Sequence, residues 1–346
     1  MEIFSFSGAN DFVSDRLIHN RLNFRYNNKQ FSSALEFRNR IFSGQSQMLI
    51  DNYSGLVAVD NGIVDLSFLI VDEKEIIVLS QIDRMWINWS NDNWEIRAGR
   101  QRINWGMNLF WNSNDIFNTY SIIDFDYEER PGVDALRVQR YFNGMSSAEV
   151  SIKPAEEEDE WVIAGKYRFN KWQYDLQIFG AQWYDDYAIG LGWAGNIRSA
   201  GFKGELSYFH PRDNKGDGVT SLSLSSDFVF SNGMFTTIGF LFNSAGADSS
   251  FNAARNLFDA PISAKQLMPS KYSLISNLSY PFSPIINGAV VLIYSPIVNS
   301  ALVMPSVSYS IDEAWEVAFF AQTFWMETGE WQNLGNGVFL RLKGSF

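Results

Sequence analysis

Along most of the chain, apolar and polar residues alternate with a period of two, in segments of about ten residues separated by turn residues. The last segment shows the pattern: Val338, Leu340, Leu342, Gly344 and Phe346 fall on one face, and Phe339, Arg341, Lys343 and Ser345 on the other. In 16–27, Ile18, Leu22, Phe24 and Tyr26 oppose Arg21, Asn23 and Arg25. In 31–43, Leu35, Phe37 and Ile41 oppose Glu36, Arg38 and Arg40. The segments 134–143, 172–184, 200–210 and 314–325 read the same way. Two kinds of connection take turns between them. The tight ones are Asn27-Asn28, Asn91 to Asn93, Asn143-Gly144, Asn170-Lys171, Asn196, Asn232-Gly233, Pro281 to Pro284 and Asp312-Glu313, all hairpin chemistry. The longer ones are 44–75, 105–133, 154–160, 211–218, 245–270 and 327–336. Short periplasmic turns and long outer loops alternate in this way in a transmembrane antiparallel β-barrel. Counting back from a last strand that runs inward, the parities agree for 18 strands, with Glu2 to Ser7 the first and 44–75 one long outer loop. Val64 to Ile70 is strand-like, but counting it breaks the parity, so it stays within that loop. Sixteen strands is the alternative.

Composition supports a single barrel over all 346 residues rather than two globular domains. Mean hydropathy is only -0.14, and no apolar run is long enough for a membrane helix. The 12 Trp, 14 Tyr and 29 Phe suit aromatic girdles at two lipid interfaces. The absence of cysteine excludes disulfides and thiolate metal sites. The net charge of -12 argues against nucleic acid as a partner. A bacterial outer-membrane location follows from this reading. It also implies a mature chain, with Met1 added or incidental.

Residues 97–104 read RAGRQRIN and run on through WGMNLFWNSNDIFN to RPGVDALR. This pattern resembles large outer-membrane barrels of the alginate-export and porin-like families. Its carriers are Gly99, Arg100, Gln101, Trp105, Gly106, Asn114, Asp115, Arg130, Pro131, Gly132 and Asp134. The resemblance implies an 18-stranded monomeric barrel and, in several relatives, passage of acidic polysaccharides or small anions. An architectural role is the competing reading: Gly99 permits a bend, Gln101 and Arg97 bridge strands, and Asn114-Asp115 makes a turn or helix cap. A C-terminal aromatic such as Phe346 resembles the signal read by the outer-membrane assembly machinery.

Assigning lumen faces by alternation gives twelve inward bases: Arg21, Arg25, Arg38, Arg40, Arg97, Arg137, Lys153, Lys166, Arg168, Lys203, Arg341 and Lys343. The inward acids number seven: Glu36, Glu95, Glu149, Asp175, Glu205, Asp227 and Glu316. The wall is then about +5 inside a chain of net -12, so some -17 resides elsewhere, including the acidic run Glu156 to Glu160. Closure of the barrel brings Arg341 and Lys343 towards Arg21, Arg25, Arg38 and Arg40, a basic stripe that would concentrate anions. The opposing reading is that these bases pair with wall acids and hold the barrel round. Arg100, Arg102 and Arg140 fall on the nominal lipid face, where lipopolysaccharide phosphates or a β-bulge would accommodate them. Strands 285–295 and 300–310 are apolar on both faces, so something packs against them from inside: an in-folded 44–75 or 105–133 first, a partner chain or apolar cargo second.

No catalytic elbow, zinc motif or phosphate loop is present, and His210 is a poor candidate base, so an enzyme is not expected. No cofactor is expected; Asp124, Asp126, Glu128 and Glu129 offer at most a Ca²⁺ site in an outer loop. The expected function is a channel or exporter with a basic lumen for anionic solutes or acidic polymer. The alternative is a loop-sealed structural or interaction subunit of an outer-membrane protein complex.

Overall fold

A computed structural model describes residues 2–7, 12–60, 62–119, 132–142, 144–157, 160–213, 215–249, 262–327 and 329–345. The strands are β1 (Glu2–Ser7), β2 (Phe12–Asn28), β3 (Phe31–Gly44), β4 (Ser67–Asp72), β5 (Ile77–Ser90), β6 (Trp94–Gln101), β7 (Val133–Tyr141), β8 (Ser147–Lys153), β9 (Val162–Lys171) and β10 (Tyr174–Trp183). They continue as β11 (Asp186–Ile197), β12 (Ala200–Pro211), β13 (Val219–Val229), β14 (Phe235–Asn243), β15 (Tyr272–Ser283), β16 (Ile286–Ser295), β17 (Ser300–Ser310), β18 (Trp315–Glu327) and β19 (Trp331–Gly344). Successive strands pair antiparallel, and β1 closes the sheet against β19. β4 is the exception. β3 pairs directly with β5, and β4 joins only the outer end of β5, Ile77 to Gln81. Eighteen strands therefore make the wall. The strand-like stretch of the 44–75 loop does form a strand, but one added above the wall. Two short helices, α1 (Ser46–Leu49) and α2 (Tyr53–Val57), precede it in the same connection.

The outward faces carry the lipid belt. Val338, Leu340 and Leu342 are well exposed, and Phe339 between them is buried. At the periplasmic end, backbone of positive φ falls at Lys29, at Trp172 and Gln173, and at Arg198. Each lies one to three residues beyond the Asn that marks the turn, because the ladder runs on through the Asn: Asn27 and Asn28 still pair with Ser32 and Phe31. One outer connection is shorter than expected. Pairing of β18 with β19 persists to Glu327 and Trp331 through an irregularity at Phe324/Trp325, which leaves 328–330 in place of 327–336.

Two parts of the interior are filled. Residues of α2 and the position after it, Tyr53, Val57 and Ala58, pack on Leu17, Phe42, Ile77 and Leu79 at the outer mouth. After β6 the chain turns inward, and 102–119 lies against the inner wall.

Candidate lumen site and the in-folded segment

The in-folded segment is fastened by polar groups that alternation places on inner faces. Glu205 of β12 is fully buried and accepts hydrogen bonds from the backbone N–H groups of Met107, Asn108 and Asn114. Trp105 donates from Nε1 to Glu149 of β8 at 2.8 Å, and its carbonyl accepts from Gln177 of β10 at 2.7 Å. Asn108 bonds Ser223 and Ser225 of β13, Ser207 bonds Asn114 and Ser113, and Trp183 donates to the carbonyl of Ile116. The segment also ties to itself: the Trp105 N–H donates to Asp115, and the Ile103 N–H to Asn118 at 2.8 Å. A Cβ at Gly106 would lie 2.3 Å from Asn112, so the close approach of Asn112 needs glycine there.

Apolar packing completes the attachment. Trp105 meets Phe117 edge-on at 5.1 Å between ring centroids and Phe179 at 5.7 Å. Further along, Trp111 packs with Leu241, Leu267, Ile275, Ile293 and Leu302, with Phe110, Val291 and Met304 around them. Ile293, Val291, Leu302 and Met304 are the inner apolar patch of β16 and β17, and Trp111 and Phe110 are what meets it.

Most of the inward bases are paired. Arg21 bonds Asp83 at 2.7 Å and lies 3.6 Å from Glu36; Arg25 reaches Glu36 at 3.0 Å. Arg38 contacts Asp83 and Gln81, and Arg40 donates to Gln81 and the Val57 carbonyl. Arg97 pairs with Glu95 and stacks 4.2 Å over Trp86. Arg137 bridges Glu95 and Glu149, and Lys166 pairs with Glu149 beneath Trp105. Arg168 pairs with Asp175, and Lys203 with Asp227. Arg341 lies 5.4 Å over Phe320. Through β1, Arg341 comes level with Leu17 rather than Arg21, and Lys343 lies opposite Glu316, so the two ends of the expected stripe are offset along the barrel axis.

Alternation misses Asp83. The register of β3 against β5 shifts by one residue, Glu36 facing Arg84 and Phe37 facing Ile82, so Asp83 is the extra residue of a bulge. It is buried and serves two arginines.

The motif residues divide in two. Trp105, Gly106, Asn114 and Asp115 build the in-folded segment, where the turn falls at Ser113-Asn114 and the Asp115 N–H closes it on the Asn112 carbonyl. Gly99 (φ +113°), Gln101 and Arg100 end β6, and Gln101 donates to the Ala135 carbonyl. Arg100 does sit on the nominal lipid face, paired in register with Asp134, but it is 4% exposed. Carboxylates of Asp134 and Asp60 hold its guanidinium. Arg140 lies exposed between the rings of Trp94 and Phe142 at the periplasmic end. Arg130, Pro131, Phe346 and the acids Asp124, Asp126, Glu128 and Glu129 lie outside the described residues. His210 stacks on Tyr208, away from the in-folded segment.

A cavity of about 1180 Å³ occupies the outer half of the lumen. His19, Arg38, Arg40 and Phe42 line one side, Ile116 to Thr119 another, and Lys153, Glu156, Glu157 and Glu160 a third. Loop residues Tyr53, Leu56, Val57, Val59, Asp60, Gly62 and Ile63 roof it.

No protein-family model matches the sequence, and no curated protein is similar to it. Solved structures are similar in fold. OccK5 (OpdH) of Pseudomonas aeruginosa superposes with a TM-score of 0.62 at 8% identity, over 100% of this chain and 96% of that one. OpdK of the same organism, solved with vanillate, gives 0.58 at 9% identity, over 99% and 96%. Wzi of Escherichia coli, a carbohydrate-binding barrel involved in capsule assembly, gives 0.54 at 8% identity, over 100% and 84%. The fold is thus that of a porin-like bacterial outer-membrane β-barrel.

Proposed function

We propose that the protein is an outer-membrane channel with a half-occupied lumen, whose open lane is basic and favours solutes bearing an anionic group. The observation that carries this reading is the asymmetry of the in-folded segment. Its hydrogen bonds and apolar contacts run from Val133 and Ala135 of β7 round to Leu302 of β17, with Phe324 of β18 at the edge, and leave the arc from β19 through β6 uncovered. That arc and its two edges hold Arg21, Arg25, Arg38, Arg40, Arg97, Arg137, Arg341 and Lys343 against Glu36, Asp83, Glu95 and Glu316. Pairing fixes these arginines in place but leaves a surplus of positive charge, and low-dielectric walls focus its field on the lane. Similar barrels add weak support: OpdK was solved with vanillate, an aromatic carboxylate, and Wzi binds carbohydrate. The resemblance of the 97–139 motif to alginate exporters points the same way, to acidic polysaccharide as a cargo class.

The test is reversal potential in planar bilayers under a KCl gradient. The native channel is expected to prefer chloride, and Arg38→Gln with Arg40→Gln to shift the potential towards cation preference. An unchanged potential would sink the basic lane.

A second reading has its own observation. α2 caps the mouth through Leu17, Phe42, Ile77 and Leu79, and two apolar clusters fill the arc beneath the in-folded segment. On this reading the barrel is sealed and acts as a subunit of a larger outer-membrane assembly. Purified protein that conducts no ions in the same bilayers would favour it.

A further inference from the structure

The wall is interrupted beside β6. On its β6-side edge, the outer end of β5 carries β4, whereas β6 pairs with β5 only from Met85 to Ser90. Among the described residues, no strand pairing joins β4 to β6 or β7. Side chains close this seam where a ladder would otherwise run. Arg100 donates to both carboxylate oxygens of Asp134 at 2.9 Å, to Asp60 at 2.5 Å and to the Val64 carbonyl at 2.7 Å. The Ile63 N–H donates to Asp134 at 2.9 Å. Two glycines allow the close fit: a Cβ on Gly62 would sit 1.8 Å from the Arg100 guanidinium, and one on Gly132 would sit 2.6 Å from the Asp83 carbonyl.

What lies on either side of the seam gives it meaning. Asp60, Gly62, Ile63, Ile82, Arg100, Gly132 and Val133 all line the 1180 Å³ cavity, so among the described residues the barrier there is a single layer. Behind it stand His19, Arg38 and Arg40. The opposite surface is apolar: Val64, Phe68, Ile70 and Leu136 are all exposed. From Trp89 up to Ser80 on the outer face of β5 is nine residues, about 25 Å of tilted strand and so roughly one hydrocarbon thickness. The seam therefore opens at the outer lipid interface. A continuous ladder would fix this part of the wall through many backbone bonds; here one guanidinium shared by two carboxylates fastens it, helped by the Ile63 N–H on Asp134 and the Ile82 N–H on the Leu66 carbonyl, and loss of either arm loosens the loop.

We propose that the seam is a side entrance, through which an amphiphile with an apolar tail and a small anionic head passes between the outer lipid interface and the cavity. The tail would lie along Val64, Phe68 and Ile70, and the head would exchange onto Arg100 and then Arg38 and Arg40. This is separate from conduction along the lane, and either can hold without the other.

The native chain lacks cysteine, so His19→Cys provides a single reporter inside the cavity. In proteoliposomes it is treated with N-dodecylmaleimide, delivered through lipid, or with a sulfonated maleimide, delivered through water. The expected result is faster modification by the lipid-borne reagent, competed by dodecyl phosphate. Adding Arg100→Ala should accelerate that reagent about tenfold or more, given what a broken buried ion pair costs, and leave the sulfonated reagent within about twofold. Adding Arg100→Lys should restore most of the closure. Asp60→Asn keeps the Asp134 arm and replaces Arg100→Ala if that variant loses the heat-modifiable mobility of a folded barrel. Modification of the parent by the sulfonated reagent alone, or equal acceleration of both reagents by the variants, would overturn the side entrance.

Discussion

At the scale of single residues, buried carboxylates organise the interior. Glu205 is the sharpest case, because three backbone N–H groups of the in-folded segment converge on one side chain with no water available to replace it. Glu205→Ala should destabilise the barrel by about 3–5 kcal/mol, and Glu205→Gln by less because it keeps one carbonyl acceptor. Urea unfolding from lipid vesicles gives that ranking, and equal stability of the two variants would contradict it. Trp111→Ala should cost about 3–5 kcal/mol through the void left among Leu241, Ile275 and Leu302. Glu205 was legible as an inward acid from alternation alone, but its partners, some ninety or more residues away, were not. Asp83 was illegible for a different reason. One extra residue in a bulge reverses the face on which alternation places it, and no local signal around IDRMW marks the insertion. That omission made the arginines of β2 and β3 look less neutralised than they are.

Among elements, the in-folded segment has the largest consequence. The sequence patterns foreshadow its seat: Val291, Ile293, Leu302 and Met304 are apolar on a face that water would otherwise wet. They do not foreshadow its path, which depends on the close approach of Gly106 and Asn112 and on anchors spread over six hairpins, β7 to β18. Replacing 104–117 by a Gly-Ser linker of equal length should raise single-channel conductance several-fold, since the lane would widen to the full lumen, and should also expose that patch and lower stability. A replaced channel of native conductance would show that the constriction lies elsewhere. The strand count, by contrast, was readable because it rests on parity: every tight turn carries Asn, Pro, Gly or Asp, and only one assignment of the 44–75 connection satisfies all of them. β4 escapes such counting because it extends an existing strand without crossing the membrane.

For the whole molecule, charge is divided by place. In the proposed lane arginine is in surplus while the chain is net -12, and Glu156, Glu157 and Glu160 are exposed near the mouth. Selectivity in bilayers should therefore weaken as salt rises from about 0.1 M to 1 M, where the screening length falls from about 10 Å to about 3 Å. Selectivity that holds constant over that range would point to size rather than charge as the filter. The arrangement of the in-folded segment also bears on how the barrel is made. Its described wall anchors lie on one contiguous arc, from Val133 and Ala135 of β7 to Leu302 of β17 with Phe324 of β18 at the edge, and β19 and the first three wall strands carry none of these. The segment can thus settle on a half-built, still open sheet, and never has to be threaded into a finished cylinder. Closure of β1 on β19 then becomes a late event around an interior already dry on one side, so assembly intermediates should bury Trp105 and Trp111 before the ends of the sheet meet.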